Sequence, residues 1–178
     1  MDDGFFTLPL FLPGIGVWFV LGIAASGGLG RSLGVARTHM WAILLSLGII
    51  VSATLTPQWA ALLYGTLGSG TCDVSRTWLA PLQDYLRQGD TSGNVLMFMS
   101  LGAALGLMPR SRNRGVLILG GILLPFAIES IQLMLTILDR ACESADVVDN
   151  LAGLVLGLTS GLGVARLVSA MRQRTARA

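Results

Sequence analysis

The sequence predicts an all-α membrane protein, a bundle of about five transmembrane helices with a further helix in the outer interface. Three observations lead there. Of 178 residues, 53% are hydrophobic and 12% are charged, about half the charged share of a soluble domain. The mean hydropathy is +0.70. Five apolar stretches alternate with polar connections, and arginine is concentrated in every second connection, the bias of cytoplasmic loops.

The stretches cover about residues 8–29, 40–57, a run of about 15 residues from Asn94, 115–138 and 147–168. A hydrocarbon layer about 30 Å thick needs around 20 helical residues. The third stretch is therefore short for a span, and is expected to borrow Ser92 and Asn94 or to be half buried by its neighbours. The acidic start, MDDGFF, lacks the basic region and small-residue cleavage site of a signal peptide, so the first stretch reads as a retained span. Residues 1–178 are expected to form a single membrane domain, with its core at about 40–168.

Arg31, Arg37, Arg110, Arg112, Arg114, Arg166, Arg172, Arg174 and Arg177 fall on one side if the chain alternates; Arg76, Arg87 and Arg140 fall on the other, with Asp2, Asp3 and most other acids. The arginine-rich side is expected to be cytoplasmic, placing the N-terminus outside and the C-terminus inside a bacterial plasma membrane. Residues 58–93 then form the longest outer connection. Its segment TWLAPLQDYLRQ puts Trp78, Leu79, Leu82, Tyr85 and Leu86 near one helical face, which suits a helix at headgroup level or one packed on the bundle. WAALLYGTL either continues the second span beyond Pro57 or dips back into the interface. Cys72 and Cys142 both fall outside, where a disulfide can form; the alternative is two unpaired thiols.

A polar constellation lies at 125–157. An ionisable group inside an apolar span costs roughly 2.5–3.5 kcal/mol on insertion scales, so Glu129 marks a candidate working site. Pro125, Glu129, Gln132 and Thr136 share one helical face, as do Asp146, Asp149, Asn150, Gly153 and Gly157. Asn94 starts the third stretch at the same depth, and Arg140 and Glu143 lie in the connection. Arg140 is expected to pair with Glu143, Asp146 or Asp149. Gly102 with Gly106, and Gly153 with Gly157 and Gly161, have the spacing of closely packed helices. Bland readings stand beside these: Asp146 and Asp149 suit a helix N-terminus, and Asn94 and Asn150 suit helix–helix hydrogen bonding.

Several classes are excluded. The net charge of +2 without a basic stripe argues against nucleic acid. The one histidine, His39, lies on the arginine-rich side, so no outer Ser-His-Asp triad or zinc site is expected. No glycine run has P-loop or Rossmann context. No cofactor is expected.

The stretch from Asn94 to Gly157 resembles the VanZ-like family. That family shows an Asn before an apolar run with Pro-Leu-Gly, a helix with Glu-x-x-Gln, then Arg, an Asp six positions later, an Asn four further on, and small residues. Here these are Asn94, Glu129, Gln132, Arg140, Asp146, Asn150 and Gly153. LTP at 55–57 also fits, and the cysteine pair resembles an actinobacterial subgroup. The chain departs at Ser100, which stands where the family has proline, and at Asp149, where the family usually has an apolar residue. The resemblance implies a polytopic bacterial membrane protein of the cell envelope. Its namesake is associated with low-level resistance to teicoplanin, although the name alone carries no resistance to this chain.

Three functions are expected in descending order. In the first, an outer-leaflet pocket formed by Asn94, Glu129, Gln132, Arg140, Asp146, Asp149 and Asn150 binds an envelope lipid, a lipid-linked wall precursor or an acylated glycopeptide. Arg140 would meet phosphate or carboxylate, Asp146 would position it, and the amides would bond sugar or amide groups. In the second, Glu129 is the general acid or base of an intramembrane enzyme acting on a phosphorylated lipid, with a divalent cation at Asp146, Asp149 and Asn150. The third is a proton-coupled transporter.

Overall fold

The computed structural model describes residues 8–87 and 89–175; Asp2, Asp3 and Arg177, used above for orientation, lie outside them. The protein is all-α and membrane-like. Its long helices are α1 (Phe11–Leu33), α2 (Arg37–Thr54), α5 (Asp90–Leu107), α6 (Arg114–Met134) and α7 (Ser144–Thr175), and short helices α3 (Trp59–Tyr64) and α4 (Leu82–Leu86) lie between α2 and α5. Four of these, α1, α2, α6 and α7, are long and apolar enough to cross a membrane. The third apolar stretch became α5, which starts at Asp90, runs for 18 residues, and is the central helix. Half its residues are buried, including Phe98, Leu101 and Leu105.

Glycine explains the centre. A Cβ on Gly153 would overlap the carbonyl of Val95, one on Gly157 that of Met99, and one on Gly161 would lie 2.6 Å from that of Ala103. From the other side, Gly102 abuts the Leu154 carbonyl, and a Cβ on Gly106 would lie 2.5 Å from that of Leu158. Positions on both helices advance together, so α5 and α7 run parallel, backbone against backbone; the small-residue spacing anticipated the close approach. α6 returns antiparallel beside them, with Gly121 against Leu105 and Leu154.

α1 and α2 form a hairpin that turns at Gly34, whose φ of 65° favours glycine. Gly48 makes room for Trp18, and Phe19 meets Trp41 edge-on with ring centroids 5.5 Å apart. Most of the outer face of α1 is exposed and apolar, including Leu12, Val17, Val20 and Ile23, as a lipid-facing helix requires.

Two expectations changed at the helix ends. The fourth stretch was expected to run to 138, but α6 stops at Met134, and Thr136–Leu138 form a 3-10 turn. Asp139 then adopts a left-handed conformation, φ 53°, which turns the chain back. Among its described residues the segment 77–87 is helical at Leu82–Leu86 alone; Pro81 stands just before that helix and disfavours helical backbone at Ala80. Its Trp78, Leu79, Leu82 and Leu86 are exposed, whereas Tyr85 is half-buried. Pro57 separates α3 from α2, so WAALLYGTL does not prolong that span.

Cys72 and Cys142 are joined in a disulfide. Around it, Cys72–Asp73 (β1) and Cys142–Glu143 (β2) pair as a short parallel ladder. Closing a loop of 70 residues is worth about 4 kcal/mol in the chain-entropy account.

Two outcomes test this packing. Gly157→Val should destabilise the protein by about 2–3 kcal/mol through overpacking, whereas Gly163→Ala, where a Cβ meets nothing within 4 Å, should leave thermal unfolding in detergent unchanged or slightly raised. A Cys72→Ser, Cys142→Ser double variant should lose about 2–5 kcal/mol, and the unaltered protein should give no free-thiol signal until it is reduced.

Candidate functional site

The polar residues gather at one end of the bundle, where α2 and α6 end and α5 and α7 begin. Each side chain there must find a partner, since an unpaired polar group away from water is costly. Glu129 reaches up from α6, and its Oε2 accepts the backbone N–H of Glu143 at 2.7 Å. The fold-back after Met134 makes this contact possible. Gln132, one turn further along, donates from Nε2 to the Thr54 carbonyl at 3.0 Å. Arg140 donates from Nε to the Thr56 carbonyl at 3.1 Å. Both carbonyls belong to the last turn of α2 and the residues after it, groups that a helix C-terminus leaves open.

The ion pair at this end is not the expected one. Asp149, 0% exposed, is gripped by both terminal nitrogens of Arg76, at 3.1 Å and 2.6 Å. The Tyr85 hydroxyl donates to the same carboxylate at 3.0 Å and accepts the N–H of Ala80. Arg76 is itself held: it donates to the Trp78 carbonyl, and its own carbonyl accepts from Ser144 Oγ. The bonds to Asp149 raise the pKa of Arg76. Burial first, and then the bond to Asp149, raise that of Tyr85. Asp149 is thus a clasp for the outer connection. Both of its oxygens accept hydrogen bonds in this clasp.

More of the outer connection is stitched to the segment after α6. Thr66 Oγ1 donates to Asp139 at 2.5 Å. The N–H of Gly68 reaches the Thr136 carbonyl at 2.8 Å, and that of Gln58 the Leu138 carbonyl at 3.1 Å. Together with the disulfide, these bonds fasten residues 58–85 across the end of the bundle.

Beneath that cover lies a polar cavity of about 140 Å³. Asn94, Gln132, Arg140 and Asp146 line it, as do Asp90 and Glu143. Four expected residues therefore meet there. Glu129 instead borders a second, largely apolar cavity of about 240 Å³ with Phe126, Leu133, Val147 and the disulfide; Glu143 borders both. Asn150 is buried one turn beyond Asp146, and Asp149 stands apart in its ion pair.

Arg140 is the unusual member. Among the described residues it forms no ion pair, and its Nη2 is buried without a hydrogen-bond partner. Burial lowers its pKa, and nearby Asp90, Asp139 and Asp146 act in the opposite direction, yet a guanidinium stays charged in any protein. Asn94 Nδ2, Gln132 Oε1 and Asn150 Oδ1 are likewise buried and unpartnered. Such groups gathered at one end of a membrane protein have capacity left for something that is not this chain. Among the described residues no three His, Cys, Asp or Glu side chains come together as metal ligands.

The family model for VanZ/LLP1 matches residues 50–166. The chain belongs to the VanZ/LLP1 family. The matched region runs from the last turn of α2 to the far part of α7, and so includes every residue of both cavities. No curated protein and no solved structure matches the chain.

Sequence reasoning gathered Asn94, Glu129, Gln132, Arg140, Asp146, Asp149 and Asn150 into one site, of which Asn94, Gln132, Arg140 and Asp146 line the polar cavity, but it missed the clasp. Arg76 and Tyr85 are 73 and 64 residues from Asp149, and no local spacing links them. One available signal was the extra carboxylate itself: an acid at a helix position facing the core demands a cation. Removing that cation should be severe. Arg76→Ala should cost about 3–5 kcal/mol by leaving Asp149 buried and unpaired, while Arg76→Met with Asp149→Leu should recover most of the loss. Thermal unfolding of the two single variants and the double variant measures this coupling.

Proposed function

We propose that this VanZ/LLP1 membrane protein is a multi-pass protein of the bacterial plasma membrane that binds the headgroup of an envelope lipid or lipid-linked wall precursor in the polar cavity, on the outer side. The observation that carries the reading is Arg140, a half-buried cation that lines the cavity, has no carboxylate within ion-pair distance among the described residues, and leaves a buried Nη2 without a partner. A phosphate is the natural partner for such a group. Asn94 Nδ2 offers a second donor nearby. The neighbouring apolar cavity, lined by Phe126, Leu133 and Val147, suits the first part of a lipid chain. The polar cavity is small beside the roughly 300–1,000 Å³ of sites that enclose drug-sized ligands, which favours a headgroup over a whole molecule.

The outer placement is supported by the disulfide, which persists in oxidising compartments. It is supported also by the arginines at the opposite end, Arg31, Arg37, Arg110, Arg112, Arg114, Arg166, Arg172 and Arg174, which follow the cytoplasmic bias. A role in glycopeptide tolerance would follow if the bound molecule were the antibiotic's own target or its acylated form.

Glu129 favours a second reading. A carboxyl group on the wall of an apolar cavity, fixed by one backbone N–H, is suited to exchanging a proton with a bound lipid.

Native mass spectrometry with lipid identification tests both. A defined phosphorylated lipid should be retained by the unaltered protein and lost from Arg140→Ala, with Arg140→Lys intermediate. An unchanged lipid profile in a folded Arg140→Ala protein would remove the binding site. If the retained lipid is converted on incubation, and Glu129→Gln abolishes conversion, the protein is an enzyme.

A further inference from the structure

The polar cavity is not simply a receptor for an anion. Its wall carries three carboxyl groups, Asp90, Glu143 and Asp146, against one guanidinium, Arg140. Among the described residues none of these four is in an ion pair. Asp90 and Asp146 lie in the first turns of α5 and α7, and each helix start supplies roughly half a positive charge. With all three ionised, three negative charges against one full and about two half positive charges leave the wall short of about one positive charge. Among the described residues the carboxyl groups do not come together as a set of three metal ligands, and the deficit does not by itself say which cation would fit it.

An independent observation shows what would. Gln132 is 6% exposed, and its Nε2 is committed to the Thr54 carbonyl. That bond fixes the orientation of the amide. Its Oε1, an acceptor, is left buried and unpartnered, on a residue that lines the cavity. An acceptor calls for a donor, which a phosphate without a proton cannot supply. Asn94, also 6% exposed, leaves its donor Nδ2 open, as Arg140 leaves Nη2. The cavity thus presents donors from Asn94 and Arg140, and acceptors from Gln132 and the three carboxyl groups.

We infer that the cavity recognises a zwitterionic headgroup, a phosphate joined through a short linker to an ammonium group, in preference to a purely anionic one. The phosphate meets Arg140 and Asn94; the ammonium meets Gln132 Oε1 and the carboxyl groups. The inference rests on the headgroup reading above and names the ligand class of that site. The same chemistry could arrive on a lipid or as a free phosphoamine.

The test offers the purified protein equal amounts of phosphatidylethanolamine, its N-acetyl derivative and phosphatidylglycerol with identical chains, and reads retention by native mass spectrometry. Phosphatidylethanolamine should be retained about tenfold over each of the others, since opposite charges set selectivity at such sites. Asp90→Asn, at an exposed helix start, should fold normally and reduce that preference about threefold or more. Phosphoethanolamine competing as well as the lipid would assign the same chemistry to a soluble ligand. Equal or greater retention of phosphatidylglycerol, still lost in Arg140→Ala, would overturn the ammonium inference and leave the headgroup reading standing; protons would then balance the carboxyl groups. A preference unchanged in Asp90→Asn would also overturn it. Retention of no lipid by the unaltered protein, with no competition by phosphoethanolamine, would overturn both.

Discussion

The close approach of α5 and α7 governs this structure. Glycines on both helices let backbone meet backbone from Val95 to Gly106, a distance over which any larger residue would push the pair apart. Because the two helices run parallel, both N-termini emerge at the same end of the bundle. The adjacent α2 and α6 run the other way and deliver their open carbonyls to that end. Helix starts favour carboxylates, and helix ends leave acceptors for amides and guanidinium groups. The polar chemistry at this end is therefore a consequence of how two glycine-bearing helices pack.

The second constraint is the cost of leaving polar groups dry. The outer connection reduces it by bringing Arg76 and Tyr85 to Asp149, and by hydrogen-bonding along the segment between α6 and α7. The disulfide ties the two together. What remains open is specific: the free nitrogens of Asn94 and Arg140 and the free oxygens of Gln132 and Asn150. By contrast, Asp139 and Asp149 are held by side chains, and Glu129 by a backbone N–H. The contrast between Asp149, held by Arg76 and Tyr85, and Arg140, which makes no ion pair among the described residues, separates the part of this region that holds the fold from the part in which a ligand is proposed.

Much of this was legible in the sequence. The long helices follow from apolar stretches, and close helix approach from glycines spaced four apart at Gly102, Gly106, Gly153, Gly157 and Gly161, although not that α5 and α7 would be the pair. The arginine distribution puts Cys72 and Cys142 on one side, which allowed the disulfide without deciding between it and two unpaired thiols. The family pattern was readable at Glu129, Gln132, Arg140, Asp146 and Asn150. Three things were not legible. The end of α6 at Met134 depends on the chain turning back through Asp139, whose conformation no periodicity reports. The start of α5 at Asp90 adds polar residues that hydropathy discounts, and so Asp90 was missed as a wall of the cavity. The division of labour between Asp149 and Asp146, three positions apart on one helix, depends on Arg76 arriving from a loop far away in the chain.

The central claim is that the cavity beside Arg140 holds the headgroup of a lipid. It is tested most directly by a high-resolution structure of the protein in nanodiscs of its native lipids. The account predicts continuous non-protein density that contacts Arg140 Nη2, Asn94 Nδ2 and Gln132 Oε1 and extends past Glu143 toward Phe126 and Leu133. Ordered water alone in the cavity, or Arg140 turned into an ion pair with Asp90 or Asp146, would contradict it and make these residues internal scaffolding.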